Sequence, residues 1–570
     1  MIKDFYQQEL NNLRELGVEF ARDNPALAPM LGARGDDPDV ERLLEGVAFL
    51  SAMVRARLSD GLPDMVEALL RLLCPELILA TPSSTIMHFK PAQGFGEAFV
   101  LPAGSQLASV PIDSTRARFS TSADLIVNPA SVVKVEIDPA SGASAAVSLT
   151  ISSAAPLNRW LQDSLIFHLA GDYPEASERR RLILQRSVKV SVEVRGRTLT
   201  LNQAAVTPAG FEAENFALSL NPSLSLALLR DYFAMPQKFL FLKLSGLKPL
   251  AASTENELTV RFFLDDLKSF FPPSRAEHFL LNACPAVNLF PYPGRPLIVD
   301  HKRSEYLIRP QDYDAEKLDI HRVSNVSSIT ADGKTKIYRP FERLGRPNPD
   351  IGLYTISRRA SPVSGKLEHY LQLIYKNNQS FSSRESLSID LICHNAGLTN
   401  VIRTGEISQS TDTSPAMASF SNILPATKHS APVLNDEQMW SLLSHLNVNL
   451  MARLTADSLR EILTLHAVPN DADIGRRLSN LKRIEALEKA TAVMEDLFIL
   501  GRPYRGTSIE LTVDPRGFAS KGDLYLFGDA LDSFFGICHH LNTYSRLSII
   551  ETHSREIYSW PPRLGLKRLI

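Results

Sequence analysis

Cysteine is scarce in this chain: four residues among 570, at Cys74, Cys284, Cys393 and Cys538. The spacing gives neither a disulfide scaffold nor the paired thiols of a zinc site, so all four read as reduced, mostly buried thiols. Long apolar runs are missing too. The greasiest stretch, Leu69 to Ala80, is interrupted by Arg71, Pro75 and Glu76, whereas a bilayer span takes ~20 apolar residues. No sign of charge dominates, since 61 Lys and Arg stand against 63 Asp and Glu for a formal net charge of -2. Such a balance builds no global field for phosphate backbones or anionic lipid, which argues against nucleic acid as a main partner. The opening Met1-Ile2-Lys3-Asp4-Phe5-Tyr6 has no apolar h-region, so a cytoplasmic location is expected.

Local catalytic signatures are equally absent. There is no His-Glu-x-x-His, no Gly-x-Ser-x-Gly and no Cys-x-x-Cys. Gly333-Lys334-Thr335 resembles the end of a phosphate-binding loop, but the earlier glycine that loop needs falls at Ser328, and the surrounding pattern is that of a hairpin. Cys393-His394 and Cys538-His539-His540 set thiol beside imidazole. Adjacent residues point about 100° apart on a helix and to opposite faces on a strand, so neither group is shaped to chelate an ion or share a proton. Asp36, Asp37 and Asp39 lack the glycine and distal glutamate of a calcium loop and suit a helix N-terminus instead. Arg179-Arg180-Arg181 follows Glu175 and Glu178 and reads as a solvated helix face, with a local acidic partner as the functional alternative. No catalytic residue, cofactor or metal is therefore expected.

What the chain does have is enough apolar residue to fold throughout: 44% hydrophobic against 22% charged. Residues 1–82 read as helical. Tyr6, Leu10, Leu13, Gly17 and Phe20 recur at steps of four and three along one stripe, and Val40, Leu44, Val47, Ser51, Val54 and Leu58 repeat the step after Asp37-Pro38. Leu62 to Leu73 reads as a third, shorter helix ended by Pro75.

Between about Thr85 and Pro432 the period is mostly two. The clearest strand carries Val188, Val190, Val192 and Val194 on one face and turns at Arg195-Gly196. Helical interruptions are expected at Glu175–Leu184 and Ala276–Leu281, a hairpin turn at Asp332-Gly333, and a long connector over Ser408–Pro432. Beyond it, Asp436–Leu450, Ala456–His466 and Asp523–Leu541 read as helices, while Leu481–Leu500 fits neither period. The fold class is α+β and multidomain: an N-terminal helical segment over 1–82, β-rich domains over 83–275 and 276–432, and a mixed α/β domain over 433–570.

In this order the blocks resemble the TssF family, the large baseplate subunit of type VI secretion systems. The resemblance rests on Phe5-Tyr6-Gln7-Gln8-Glu9-Leu10, on Asp37-Pro38-Asp39-Val40-Glu41-Arg42-Leu43-Leu44, and on Cys284-Pro285-Ala286-Val287-Asn288-Leu289-Phe290. It continues through Trp440 to Leu446, Leu459-Arg460-Glu461-Ile462-Leu463, Arg505-Gly506 and Leu526-Phe527-Gly528, and closes on Trp560-Pro561-Pro562-Arg563-Leu564-Gly565.

It implies a structural wedge role. The partners implied are a TssG-like subunit, a second copy of the chain, TssK-like and TssE-like subunits and the VgrG-like spike hub. The membrane is reached only through the membrane complex, and the implied place is the cytoplasmic face of the inner membrane. On that reading the stripes of Tyr6, Leu10, Leu13, Gly17, Phe20, Val40, Leu44, Val47, Val54 and Leu58 form a subunit interface; they equally suit the chain's own core, because periodicity names no partner. Two other function classes stay open on the residues alone: an enzyme whose site residues converge only in the fold, and a membrane-surface adaptor.

Overall fold

The computed structural model describes residues 2–23, 38–73, 78–92, 94–139, 145–211, 225–265, 271–300, 303–312, 317–329, 335–341, 352–361, 366–374, 385–431, 454–467, 473–499 and 502–565. Met1–Ile78 with Leu434–Val448 make one compact unit, and Leu79–Val433 with Asn449–Ile570 make a second, larger one. The fold is α+β, with helices at the N-terminus and several β-rich layers after them.

In the smaller unit helix α1 (Ile2–Asp23) packs on helix α2 (Pro38–Leu73), and Arg14 pairs with Glu41 between them. Asp39 and Glu41 in the first turn of α2 and Arg71 in the last complement the helix dipole. The expected break before a separate Leu62–Leu73 helix is absent: α2 runs on through Pro63. Ala48 and Val66, and likewise Ala52 and Leu70, are fully buried and lie eighteen residues apart, a spacing of five whole turns. Burial on the same side before and after the proline offsets the cost of its missing N–H.

The larger unit is built from sheets. A six-stranded sheet runs, edge to edge, 407–410, 106–109, 118–121, 283–287, 84–91 and 418–422, so it draws strands from both sides of residue 276. Two of those strands lie inside the expected Ser408–Pro432 connector, and Ile407 itself is buried. Their Ser, Gln and Asn residues conceal the alternation, and backbone pairing needs no apolar side chain. Thr411 and Ser414 tie the turn beyond the first of them to the Gln106 carbonyl. A five-stranded sheet contains the Ser187–Val194 strand. Arg195 and Gly196 both adopt positive φ, 46° and 78°, in its hairpin turn, as the strand twist requires. Val190, Val192 and Val194 are buried as read, but Val188 is exposed, because a register shift at Phe263/Leu264 leaves it unpaired as a bulge.

Further sheets are four-stranded (206–209, 241–245, 164–169, 279–280) and eight-stranded, spanning 290–394. In the latter Asp319–Ile329 and Thr335–Pro340 pair antiparallel, Ile329 facing Thr335; the Asp332-Gly333 turn and Gly333-Lys334 lie outside the described residues. The Ala276–Leu281 helix is only a single tight turn, Ala276–His278, before a short strand.

Among the described residues five helices complete the unit: α3 (Tyr173–Arg186), α4 (Ser225–Ala234), α5 (Ala456–His466), α6 (Ile474–Glu485) and α7 (Lys521–Cys538). Thr455 caps α5 by accepting from Ser458 N, and Ser520 caps α7 by accepting from Asp523 N. The Leu481–Leu500 stretch matched neither period because it is a junction: α6 ends at Glu485 and a strand, Leu487–Ile499, opens the last sheet. One apolar core joins residues 130–281 with 454–560.

Candidate assembly site

The sequence-expected interface residues fall into three groups. Leu10 is buried; Tyr6, Leu13, Gly17, Val40 and Leu44 are half-buried; Val47 is exposed. The side chains of Phe20, Val54 and Leu58 lie outside the described residues, as do Asp36, Asp37, Cys74 and the Asp436–Leu450 segment. Among the described residues the apolar side chains that α2 buries are Ala48, Ala52, Val66 and Leu70, the first two one position beyond Val47 and Ser51 of the expected stripe. Leu43, Val47 and Leu50 instead face solvent, at 69%, 47% and 58% exposure. At 100° per residue these three lie within about 60° of one another and roughly opposite the buried alanines. Helix α2 is thus apolar on two sides, with one side covered and the other open.

The larger unit shows the reverse, charge taken inside. Arg179, Arg180 and Arg181, expected on a solvated face, are all buried on α3. Arg179 donates to the Ala170 and Pro273 carbonyls and to Glu175, and Arg181 is gripped by Glu178 and Gln185. Arg180 reaches Asp529 on α7 at 2.5 Å. A local run cannot reveal this, because the carboxylate that drives it is 349 residues away in the sequence.

Helix α7 carries three buried aspartates, each meeting a cation from a different part of the chain. Asp523 accepts from Tyr173 Oη at 2.6 Å and from Arg483 of α6 at 3.1 Å; Asp529 accepts from Arg180 and from Trp560 Nε1 at 2.6 Å; Asp532 accepts from Arg563 Nε at 2.7 Å. Burial raises the Asp532 carboxyl to about 6, with Arg563 opposing and Asp529 adding to the shift. Glycines permit the fit: a Cβ on Gly528 would stand 2.2 Å from the Trp560 ring, and one on Gly536 would stand 2.3 Å from Arg563 Cδ. The blocks Leu526-Phe527-Gly528 and Trp560 through Arg563 are therefore one structural joint. Farther off, Asn288 and Asn395 clasp each other across 2.7 and 2.9 Å and anchor the Cys284–Phe290 block.

Among the described residues the thiols and imidazoles do not converge into one cluster. Burial pushes Cys284 up to about 11 and Cys393 to about 12, which keeps both as thiols. His394 accepts the Ala396 N–H and stacks on His429 at 4.7 Å; burial, then the neighbouring His429, holds it well below the usual range. His539 bonds the Phe535 carbonyl at 2.7 Å, while His540 faces solvent. Among the described residues no group of three or more His, Cys, Asp or Glu could hold a metal ion, and no helix is long and apolar enough to cross a membrane.

Comparison with known proteins bears on this arrangement of an open apolar helix face on one unit and a charge-locked frame in the other. A curated relative, the type VI secretion system component TssF1 of Pseudomonas aeruginosa, is 25% identical, with 99% of this chain and 98% of the relative covered. Among solved structures, a chain of the type VI secretion system TssK-TssF-TssG baseplate subcomplex, determined by cryo-electron microscopy, superposes with a TM-score of 0.79 at 24% identity. The match covers 93% of this chain and 99% of that one. A chain of the baseplate complex from the type VI secretion system gives a TM-score of 0.65 at 20% identity, with both chains fully covered. These two likenesses establish a shared fold. The family model for "Type VI secretion system, TssF" matches residues 1–567, and the chain belongs to that family.

Proposed function

We propose that this chain is a structural wedge subunit of a type VI secretion baseplate, binding a TssG-like subunit and, through the assembled wedge, TssK-like and TssE-like subunits and the VgrG-like spike hub. Its work is binding rather than turnover, and its place is the cytoplasmic face of the inner membrane. The observation that carries the reading is α2. A helix with Leu43, Val47 and Leu50 open on one side and Ala48, Ala52, Val66 and Leu70 closed on the other is built to hold its own unit together while offering a seam to another chain. Family membership and the likeness to a chain of the TssK-TssF-TssG baseplate subcomplex support the choice of TssG-like and TssK-like partners.

The half-buried Tyr6, Leu13, Gly17, Val40 and Leu44 flank that seam in this reading. The test is co-expression with TssG-like and TssK-like neighbours followed by mass measurement of the purified complex. The expected product contains the TssG-like subunit and more than one copy of this chain. A monomer that ignores the TssG-like subunit across a wide concentration range overturns the proposal.

A further inference from the structure

Within the larger unit a cleft of about 720 Å³ opens where the 235–237, 400–403 and 424–428 segments meet the first turns of α6. Its size is that of a site enclosing a ligand of drug size, or a few residues of peptide, rather than a folded domain. Pro236, Val401, Leu424 and Pro425 give it apolar walls, and four cations line it: Arg403, Lys428, Arg476 and Arg483.

The four differ in how well they are matched. Arg483 is occupied at the base by Asp523 and Asn480. Arg476 has Asp473, the single acid among the lining residues, at 3.1 Å, yet burial still pulls its pKa down against that pairing. Arg403 and Lys428 carry exposed side chains with no charge or hydrogen-bond partner among the described residues. The walls are fixed in advance. Asn422 donates to both the Arg403 and Leu424 carbonyls, at 2.9 and 2.8 Å; Asn400 accepts the His429 N–H at 2.9 Å; Asn480 holds the Phe233 carbonyl at 3.0 Å. A preformed site with surplus cations on apolar walls spends little on ordering and selects a carboxylate-bearing, apolar occupant.

We propose that this cleft docks an extended acidic and apolar segment of a partner protein, whose carboxylates meet Arg403, Lys428 and Arg476 while its apolar side chains lie on Val401, Leu424 and Pro425. The inference rests on the assembly reading above, but its test needs no other subunit. A fluorescein-labelled peptide of alternating Asp and Leu is titrated onto the isolated full-length chain, beside matched Asn–Leu and Lys–Leu peptides and inorganic phosphate as competitor.

The Asp–Leu peptide is expected to bind at least about tenfold more tightly than either control, with affinity falling as salt rises. The Arg403→Glu/Lys428→Glu double variant is expected to lose about tenfold or more, and Val401→Asp to weaken binding as well. Equal binding of the Asn–Leu peptide, or a double variant that unfolds at the wild-type temperature and binds as wild type, overturns the proposal. So does phosphate that displaces nothing from the peptide yet itself binds through Arg403 and Lys428, the mark of a small-anion site. A chain that binds the peptide but fails to assemble with the TssG-like subunit refutes the assembly reading and leaves the cleft standing; the opposite result removes only the cleft.

Discussion

Helix α2 and helix α7 invert the usual partition of side chains in opposite ways. The first leaves leucine and valine in water; the second draws three carboxylates, with the cations Arg180 and Arg483, out of it. Exposed apolar surface costs free energy that a partner can recover, so α2 gains from company. Buried ion pairs add little net stability over an apolar core, yet removing one partner strands the other, so α7 fixes one arrangement against alternatives. One helix is a surface awaiting contact and the other a lock already closed.

The largest expected effect separates the units by acid. His88, His168 and His429 are held at about 4, His321 and His466 at about 3, in each case mainly by burial, and all belong to the larger unit. The smaller unit holds a single histidine, His445. Folded histidines that stay neutral while unfolded ones take protons make stability fall as pH drops from about 6.5 towards 4, by at most about 1.4 kcal/mol per pH unit for each. Near-UV circular dichroism across that range is expected to show the tertiary signal of the larger unit collapsing; a flat profile contradicts the account.

Next in size is the lock itself. Arg180→Ala leaves Asp529 buried without its cation, and a loss of about 3–5 kcal/mol is expected in chemical denaturation. A change under 1 kcal/mol, on the order of a surface pair, would mean the frame is not closed.

Two adjacent residues then test α2. Ala48→Asp puts a charge in the covered stripe and is expected to destabilise the helical unit by several kcal/mol. Val47→Asp is expected to leave folding within about 0.5 kcal/mol while abolishing co-purification with the TssG-like subunit. Equal behaviour of the two variants would erase the two-sided picture.

The smallest effect runs opposite to the histidines. With its carboxyl raised to about 6, Asp532 contributes stability that is present below about pH 4 and lost as pH rises through 6. Asp532→Asn should therefore remove a slope of at most about 1.4 kcal/mol per unit between those values, read from denaturation midpoints at several pH values.

How much of this was legible follows from the range of each interaction. α7 is readable because its apolar residues are local, although its Ser520 cap starts it two residues before the expected Asp523, and the Arg195-Gly196 turn is readable because strand twist alone demands positive φ there. The buried arginines are unreadable, since nothing near 180 announces Asp529. The α2 stripe was misplaced by one residue for a different reason. A helix with two apolar sides has no single hydrophobic direction, and the four-three step through Val40, Leu44 and Val47 runs between the covered and open sides. Polar strands such as Ala418–Asn422 escape notice because only Ala418 and Phe420 turn into the core among Ser and Asn, the rest being held by main-chain bonds and by Asn422.

The joint between α7 and the Trp560–Arg563 segment also bears on how the protein is made. Asp529 and Asp532 are translated before Trp560 and Arg563, and Arg180 and Tyr173 wait through hundreds of codons for α7. The frame of the larger unit is therefore incomplete until the Trp560–Arg563 segment is made. A chain interrupted before Trp560 carries an α7 with unmatched carboxylates and an uncovered Gly528, and such an open product is a substrate for proteases rather than a building block.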